Sequence, residues 1–149
     1  MVRLSKYLSE DLITDIDADS KFSAIEEMIS LISSSEHISD IDEFAQAIKD
    51  RENILSTGIG LSVAVPHAKG DHVNDFVVAL GRSFEGIDYD SIDGKPVNLI
   101  FMIAGPAQKQ KIYLKILAKI SLIARNEELK KEIISAKSKE EIFKVLSKF

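Results

Sequence analysis

Apolar residues recur along the chain with two different spacings, which separates helices from strands. From Lys21 onward they return every three or four positions, the spacing of an amphipathic helix, with Ser20 or Asp19 as its N-cap. Before this helix, residues 8–16 mix leucine and isoleucine with acids and predict a short edge strand. The chain therefore opens with one short strand and one helix.

A second helix leads into a stretch that contains glycines. Ser39 to Asp42 form a variant of the capping box, and helical spacing continues to Ile54 and ends before Gly58. Farther on, a short apolar run is followed by residues 69–74, which are typical of a turn. The glycines therefore lie in a connection, with a strand after them.

Two apolar runs predict the central strands of a sheet. Residues 76–80 form a strong strand, and residues 97–104 form a stronger one, whose near-continuous apolar character is typical of burial on both faces. Residues 86–96 connect them as a loop with a short extended piece and a turn at Asp93 and Gly94. We expect these two strands near the centre of the sheet.

Three helices complete the chain. The first covers about Gln108 to Arg125, the second opens near Asn126, and the third begins with a capping box that starts at Ser138. Strands interspersed with helices predict an α/β fold, a sandwich with a mixed central β-sheet flanked by helices on both faces. The length of 149 residues fits a single domain over residues 1–149.

The composition excludes several partners and chemistries. The net charge is -5, and no cluster of lysine and arginine could neutralise a run of phosphates, so nucleic acid is not expected as a partner. Without cysteine, the chain has no disulfide, thiolate metal site or cysteine nucleophile. The N-terminus lacks an apolar segment, and the longest apolar run, residues 99–104, is too short to cross a bilayer. We therefore expect a cytoplasmic protein that does not insert into a membrane.

The stretch from Ser56 to Gly70 holds the strongest candidate for chemistry, which is His67. Gly58 and Gly60 allow a positive φ and the close approach of a group such as a phosphate to the main chain. Pro66 fixes its own φ and extends the preceding residue, so His67 lies at the rigid end of a strand. Neutral imidazole there can act as nucleophile, base or ligand. The alternative is an ordinary turn with a solvated or buried histidine.

Two further side chains bear on this candidate site. Arg51 lies one or two helical turns before the glycines, close enough to fold its guanidinium over them, although an exposed cation on a helix is the alternative. His72 follows His67 by five positions and not by the four that place two ligands on one face of a helix. Neither a metal nor another cofactor is therefore expected.

Six blocks lie in order along the chain: Arg51-Glu52, Ser56 to Gly60, Val63 to His67, Asp93 to Ala104, Leu114 to Ser121 and Ala136 to Ile142. In sequence and in order they resemble the IIA domains of the bacterial phosphotransferase system, in its fructose, mannitol and nitrogen-regulatory branch. The resemblance covers nearly the whole chain. A single short motif would be a weak signal, but several ordered blocks are specific.

This resemblance implies a phosphocarrier. A phosphoryl group would pass from the phosphorylated histidine carrier protein to His67, and from there to a IIB component of a fructose- or mannitol-type sugar transporter. His67 would be the nucleophile, with its other ring nitrogen held by an acceptor such as a backbone carbonyl, and Arg51 would donate to the phosphoryl oxygens. Ser56, Thr57 and the amides around the two glycines would add hydrogen bonds, unless the two hydroxyls serve only the turn.

The sequence departs from the family at two places. The family usually has a second histidine near the active one, just before its Leu-x-x-Leu-Ala block, where this chain has Tyr113. A tyrosine can still donate a hydrogen bond to a phosphoryl oxygen, so Tyr113 is either part of the active pocket or a packing residue. The family's loop often has Asn-Gly where this chain has Leu61 and Ser62, which makes the loop less flexible.

Two other functions stay open. One is that of a nitrogen-regulatory IIA protein, whose phosphorylation state controls a binding partner and which needs the same His67 and Arg51. The other is that of a small hydrolase with His67 as general base, for which the chain lacks both a cysteine and a Gly-x-Ser-x-Gly elbow.

Overall fold

A six-stranded mixed sheet lies at the centre of the computed structural model, which describes residues 2–149. Its strands are β1 (Ile13–Asp15), β2 (Gly58–Gly60), β3 (Val63–Ala64), β4 (His67–Gly70), β5 (Val77–Ile87) and β6 (Val97–Pro106). The helices are α1 (Lys21–Ile32), α2 (Ile41–Ile54), α3 (Gln110–Arg125), α4 (Glu127–Ser135) and α5 (Lys139–Leu146). No helix within residues 2–149 combines the length and apolar character needed to span a bilayer.

The strands follow the spatial order β1, β5, β6, β3 and β2, and β4 continues along β6 beyond β3. β5 and β6 are antiparallel, whereas β1 runs parallel to β5, and β3 and β4 run parallel to β6. The middle of β5 and β6 is buried at successive positions, including Val78, Ala79, Phe101 and Met102. Successive side chains of a strand point to opposite faces, so both faces of the sheet are covered. The predicted mixed sheet flanked by helices is confirmed.

Side-chain caps begin the later helices where the sequence predicts them. Asn126 and Ser138 accept hydrogen bonds from amides in the first turns of α4 and α5. The predicted cap of α2 is wrong, because Asp40 and not Ser39 accepts the hydrogen bond from the helix amide. Ser39 donates its hydroxyl to the carbonyl of His72 at 3.1 Å and so joins the start of α2 to the turn after β4.

Two segments continue as strands beyond their predicted ends. β5 runs on to Ile87, which pairs with Val97 after an irregularity in the register. β4 begins at His67 and runs to Gly70, although the sequence predicts a turn at residues 69–74, because these four residues pair with the last residues of β6. His67 is therefore the first residue of a strand and not the last.

The turn between β2 and β3 is strained at two residues. Leu61 and Ser62 both have a positive φ, 58° and 67°, although neither is glycine or asparagine. A left-handed conformation costs most L-residues about 1–2 kcal/mol. The buried Lys130 donates its Nζ to the carbonyl of Leu61 at 2.7 Å and helps to hold this conformation.

We expect the double substitution Leu61→Asn with Ser62→Gly to raise the free energy of unfolding by about 1–2 kcal/mol, because Asn-Gly favours a two-residue turn with two positive φ angles. Denaturant unfolding followed by circular dichroism measures the difference. Leu61→Ala is the control, since alanine keeps the strain and should bring no comparable gain. A double variant no more stable than the parent would show that the turn stores little strain.

Candidate active site

His67 follows Pro66, whose carbonyl accepts a hydrogen bond from the amide of Ile103 at 3.0 Å. The imidazole is half-buried, and its Nδ1 lies 2.8 Å from the carbonyl oxygen of Val65. A carbonyl oxygen can only accept a hydrogen bond, so Nδ1 carries the hydrogen and the lone pair of the neutral ring lies on Nε2. The backbone thus leaves Nε2 as the ring nitrogen with the free lone pair.

The carbonyl of Val65 is available to His67 because Val65 lies just beyond the end of the hairpin that β2 and β3 form. Its amide donates to the carbonyl of Thr57 at 2.9 Å, just before β2 begins. In extended chain, the amide and carbonyl of one residue point to the same side. The last residue pair of β2 and β3 is Gly58 with Ala64, so the Val65 carbonyl lies just beyond the paired region, where it meets the ring of His67.

The surroundings of His67 keep its imidazole neutral. Burial lowers the pKa of His67 below its usual value, and the positive charges of Arg51 and Lys69 add to this effect. The hydrogen bond to Val65 and the charge of Glu52 act in the opposite direction without reversing the shift. At neutral pH the ring therefore has a free lone pair, as a nucleophile or a general base requires.

Arg51 lies in the last turn of α2 and is half-buried. Its Nη1 donates to the carbonyl of Leu55 at 2.7 Å, which satisfies an acceptor at the end of the helix. Its charge contributes to the lowered pKa of His67 and opposes the rise that burial causes in the pKa of Tyr113. Its positive charge thus acts on both rings, and a contact of the guanidinium with a phosphoryl group stays a prediction.

The hydroxyl groups of Ser56 and Thr57 are engaged within their own loop. Ser56 Oγ donates to the carbonyl of Tyr89 at 3.1 Å and accepts from the amide of Gly58 at 3.2 Å. Thr57 is buried, and its Oγ1 donates to a carboxylate oxygen of Glu52 at 2.5 Å. These contacts stabilise the loop, and a contact of either hydroxyl with phosphate stays a prediction.

Positions 58 and 60 require glycine for different structural reasons. Gly58 does not use the positive φ open to glycine, but a Cβ there would lie only 2.3 Å from Oγ of Ser91, so close packing requires its small size. Gly60 has a φ of 87° and pairs with Val63. Val63 precedes His67 by four residues, which is up to about 13 Å of extended chain. Gly58 is thus the glycine nearer to the histidine along the hairpin, and phosphate binding by either glycine stays a prediction.

Tyr113 lies beside His67, with ring centroids 5.7 Å apart and ring planes inclined by 51°. It is buried and stacks on Phe76, with centroids 6.5 Å apart. Burial raises the pKa of Tyr113 to about 12, against the charge of Arg51, so the phenol keeps its hydrogen at neutral pH. The structure thus places the ring of Tyr113 against that of His67, and a contact of its hydroxyl with a phosphoryl group stays a prediction.

A comparison with known families gives this group of residues a context. Residues 6–149 match the sequence model of the family described as Phosphoenolpyruvate-dependent sugar phosphotransferase system, EIIA 2. The chain belongs to this family. The resemblance to IIA domains is therefore confirmed, and with it a general role in phosphoryl transfer.

Two curated relatives of this IIA chain are fructose-specific by name. The PTS system fructose-specific EIIA component of Haloferax volcanii is 37% identical over 127 residues, which cover 85% of this chain and 82% of that protein. The fructose-specific EIIABC component of Bacillus subtilis is 33% identical over 147 residues, or 98% of this chain. This IIA chain spans only 23% of that longer relative.

Solved structures show the same fold. The nitrogen regulatory protein IIA-Ntr from Neisseria meningitidis matches with a TM-score of 0.88 and 28% identity, over 96% of this chain and 98% of that chain. Enzyme IIA for mannitol from Escherichia coli, in its complex with phosphorylated enzyme IIB, matches with a TM-score of 0.81 and 20% identity, over 95% and 97% of the two chains. At that identity the second likeness shows the fold alone.

Sequence reasoning missed the role of Glu52 in this IIA chain. Its buried carboxylate accepts from the amide of Thr57 at 2.8 Å and from the hydroxyl of Tyr89 at 3.1 Å, and it pairs with Nζ of Lys21 at 2.8 Å. The carboxylate thus fixes the loop that faces Val65. One signal was available, because an acid in the last turn of a helix opposes the helix dipole and needs a partner.

Lys69 also belongs to the site, although the sequence analysis assigns it to a turn. Its Nζ lies 4.5 Å from the centre of the Tyr113 ring, and its charge contributes to the lowered pKa of His67. Residues two apart on a strand share a face, so a strand after His67 would have predicted this position. The strand was not predicted because glycine at position 70 is typical of a turn.

Proposed function

We propose that this IIA chain is a phosphocarrier with Nε2 of His67 as its phosphoryl acceptor. The donor is the phosphorylated histidine carrier protein, and the recipient is a IIB component of a fructose- or mannitol-type sugar transporter. The observation that carries the proposal is the hydrogen bond from Nδ1 to the Val65 carbonyl, which leaves the lone pair on Nε2. The charge of Arg51 beside the ring supports it, because a guanidinium neutralises charge on phosphoryl oxygens.

In the proposed transfer, Nε2 of His67 attacks phosphorus in line with the leaving nitrogen of the donor histidine. The bond from phosphorus to Nε2 forms as the bond to the donor nitrogen breaks, and the donor ring keeps the electron pair of the broken bond. The hydrogen on Nδ1 stays in place, so positive charge develops on the His67 ring. The carbonyl of Val65 stabilises that charge, while Arg51 donates to the phosphoryl oxygens.

The loop residues act in this proposal by keeping the site rigid. Ser56 and Thr57 hold the main chain next to the histidine hairpin, and Gly58 lets that loop pack closely, while Gly60 shapes the far turn. Tyr113 forms one wall of the pocket, and its protonated hydroxyl is a donor for a phosphoryl oxygen.

The relatives support the proposed role in sugar transport. Two of them are fructose-specific components of the phosphotransferase system by name, and the Escherichia coli mannitol IIA forms a complex with phosphorylated IIB. Exposed apolar side chains next in sequence to the site also support docking of a protein partner. Leu55, whose carbonyl holds Arg51, and Leu114, which follows Tyr113, are 64% and 53% exposed.

Regulation is the second candidate function. The likeness to the nitrogen regulatory IIA protein, at 28% identity and a TM-score of 0.88, favours it. Tyr113 in place of the family's second histidine also favours it, because that histidine is associated with the active pocket. In this case phosphorylation of His67 controls which partner the chain binds.

Intact-mass spectrometry tests the proposal. The chain is incubated with phosphoenolpyruvate, the general phosphotransferase enzyme and the histidine carrier protein, and we expect a gain of one acid-labile phosphoryl group. Omission of the carrier protein is the control. Movement of the label to an added IIB component supports transport, and partner capture that depends on the label supports regulation. No gain with cognate donors would overturn both functions, and release of free phosphate without an acceptor would support a hydrolase.

We expect the rate of phosphoryl acceptance to be flat above the usual histidine pKa of 6.5 and to fall at more acid pH. Burial and nearby cations lower the pKa of His67, so the lone pair on Nε2 is lost only as the pH falls through that lowered value. Rapid-quench measurements over roughly pH 5 to 8 locate the inflection. The small donor phosphoramidate serves as a control, because it has no donor histidine that titrates. An inflection above 6.5 would contradict a lowered pKa.

A further inference from the structure

We infer that Lys69, held against the ring of Tyr113, is a second cation for the phosphoryl group on His67, in addition to Arg51. The inference rests on the proposed phosphocarrier function and concerns the same site. In this assignment Tyr113 is a positioning residue, which holds the lysine through its aromatic face. Tyr113 stands where the family usually has a second histidine. In this chain it holds the positive charge of Lys69 beside His67 instead.

The first support is the position of Lys69 on β4. His67 and Lys69 are two residues apart on this strand, so their side chains leave the same face about 7 Å apart. The ring of Tyr113 lies next to both side chains. Its centroid is 5.7 Å from the ring centroid of His67 and 4.5 Å from Nζ of Lys69. The ammonium therefore lies on the aromatic wall of the site and is not directed away from it.

The second support is the way in which the lysine stem is packed. Lys69 pairs with Gly105 of β6, and a Cβ on this glycine would lie 3.4 Å from Cγ of Lys69 and 2.7 Å from the ring of Phe76. Without a side chain at Gly105, the stem and the Phe76 ring can both lie close to the sheet. Phe76 then stacks on Tyr113, so the ring under the ammonium is itself supported.

The third support is the charge of the lysine. Its contacts are an aromatic face and the side-chain oxygen of Gln110, the first residue of α3, to which Nζ donates. Both partners are neutral, and within residues 2–149 no carboxylate forms an ion pair with this ammonium. Its positive charge already contributes to the lowered pKa of His67. The charge is thus available to a newly arrived anion.

These observations define how Lys69 acts. Before transfer, the ammonium rests on Tyr113 and Gln110. As the phosphoryl group arrives on Nε2 of His67, rotation of the flexible stem carries Nζ from the amide oxygen to a phosphoryl oxygen. The interaction is stronger with the transferring phosphoryl group than with the free site, so it raises the rate of transfer and lengthens the lifetime of the phosphohistidine.

The test compares Lys69→Gln, Lys69→Arg, Tyr113→Phe and Tyr113→Leu with the parent. Lys144→Gln is the charge-matched control, because Lys144 is exposed on α5. Phosphoryl uptake is measured with the phosphorylated carrier protein, with separate kcat and KM, and with phosphoramidate, which needs no protein docking. Decay of the isolated phosphohistidine is measured as well, and thermal melts confirm that each variant is folded.

We expect Lys69→Gln to lower kcat and the phosphoramidate rate about tenfold or more, with little change in KM, and to shorten the lifetime of the phosphohistidine. Lys69→Arg, which keeps the cation, should stay near the parent. Tyr113→Phe keeps the ring but loses the hydroxyl donor, so it should lose less than Tyr113→Leu, and Tyr113→Leu should approach Lys69→Gln. A Lys69→Gln variant equal to the Lys144→Gln control, or one changed only in KM, would overturn the inference.

Failure of the proposed function gives a different result. A parent that accepts phosphate from phosphoramidate but not from the carrier protein would overturn the phosphocarrier function, while the phosphoramidate rates and lifetimes would still decide the role of Lys69. A parent whose His67 takes phosphate from neither donor would overturn both. The two failures are therefore separable.

Discussion

His67→Gln should abolish phosphoryl acceptance, with a fall in rate of at least about a thousandfold, because the substitution removes the nucleophile. Glutamine has a similar size and keeps a neutral polar side chain at this position. Its amide nitrogen has no free lone pair, so it cannot attack phosphorus. The imidazole is only half-buried, and the variant should therefore fold. The measurement is the intact mass after incubation with phosphoenolpyruvate and the two donor proteins.

The control for this prediction uses another of the three histidines in the chain. His37→Gln changes a histidine in the loop between α1 and α2 and should accept one phosphoryl group as the parent does. Circular dichroism on both variants checks that they are folded. A phosphoryl group mapped to His37 or His72 in the His67 variant would show that the assignment of the acceptor is wrong.

Glu52→Gln should lower the free energy of unfolding by about 3 kcal/mol, the second large effect that we expect. The carboxylate oxygens accept from Thr57, Tyr89 and Lys21, and the side chain has no exposed surface. The side-chain NH₂ group of glutamine would be a donor placed opposite these donors. The ammonium of Lys21 would also lose its counter-charge. Denaturant unfolding at neutral pH measures the loss.

Glu26→Gln is the matched control, because Glu26 also pairs with a lysine, Lys49, but on the surface. Exposed pairs contribute at most about 1 kcal/mol, so this control should lose little. Adding Lys21→Met to Glu52→Gln should recover part of the stability, since it removes the ammonium left without a partner. A loss below about 1 kcal/mol for Glu52→Gln alone would show that the buried network contributes little.

Local signals account for the parts of the fold that the sequence predicts well. Helical spacing and side-chain caps such as Asn126 and Ser138 depend on residues within one or two turns, and the central strands are long apolar runs. His67 and Arg51 could be named from the sequence because their residue types and positions resemble a known family, and Tyr113 because it stands where that family usually has a second histidine. The structure then brings them into one place.

The features that the sequence analysis missed depend on residues far apart in the chain. β4 is a strand because β6 pairs with it, and no periodicity within four residues can predict that pairing. Gly58 is fixed by its close contact with Ser91 on a distant loop. Glu52 is buried because Lys21 and Tyr89, from other parts of the chain, supply its counter-charge and a hydrogen bond. Such contacts appear only when the elements are assembled.

The acceptor for the Nδ1 hydrogen of His67 is a main-chain oxygen, and every amino acid supplies that atom. Substitution at position 65 can therefore change the size of a buried side chain, but it cannot delete the group that orients the imidazole. The regiochemistry of any bond made to His67 is set by the hairpin and not by the identity of one neighbour. Residue 65 is thus free to vary with the core around it, while the reactive nitrogen stays the same.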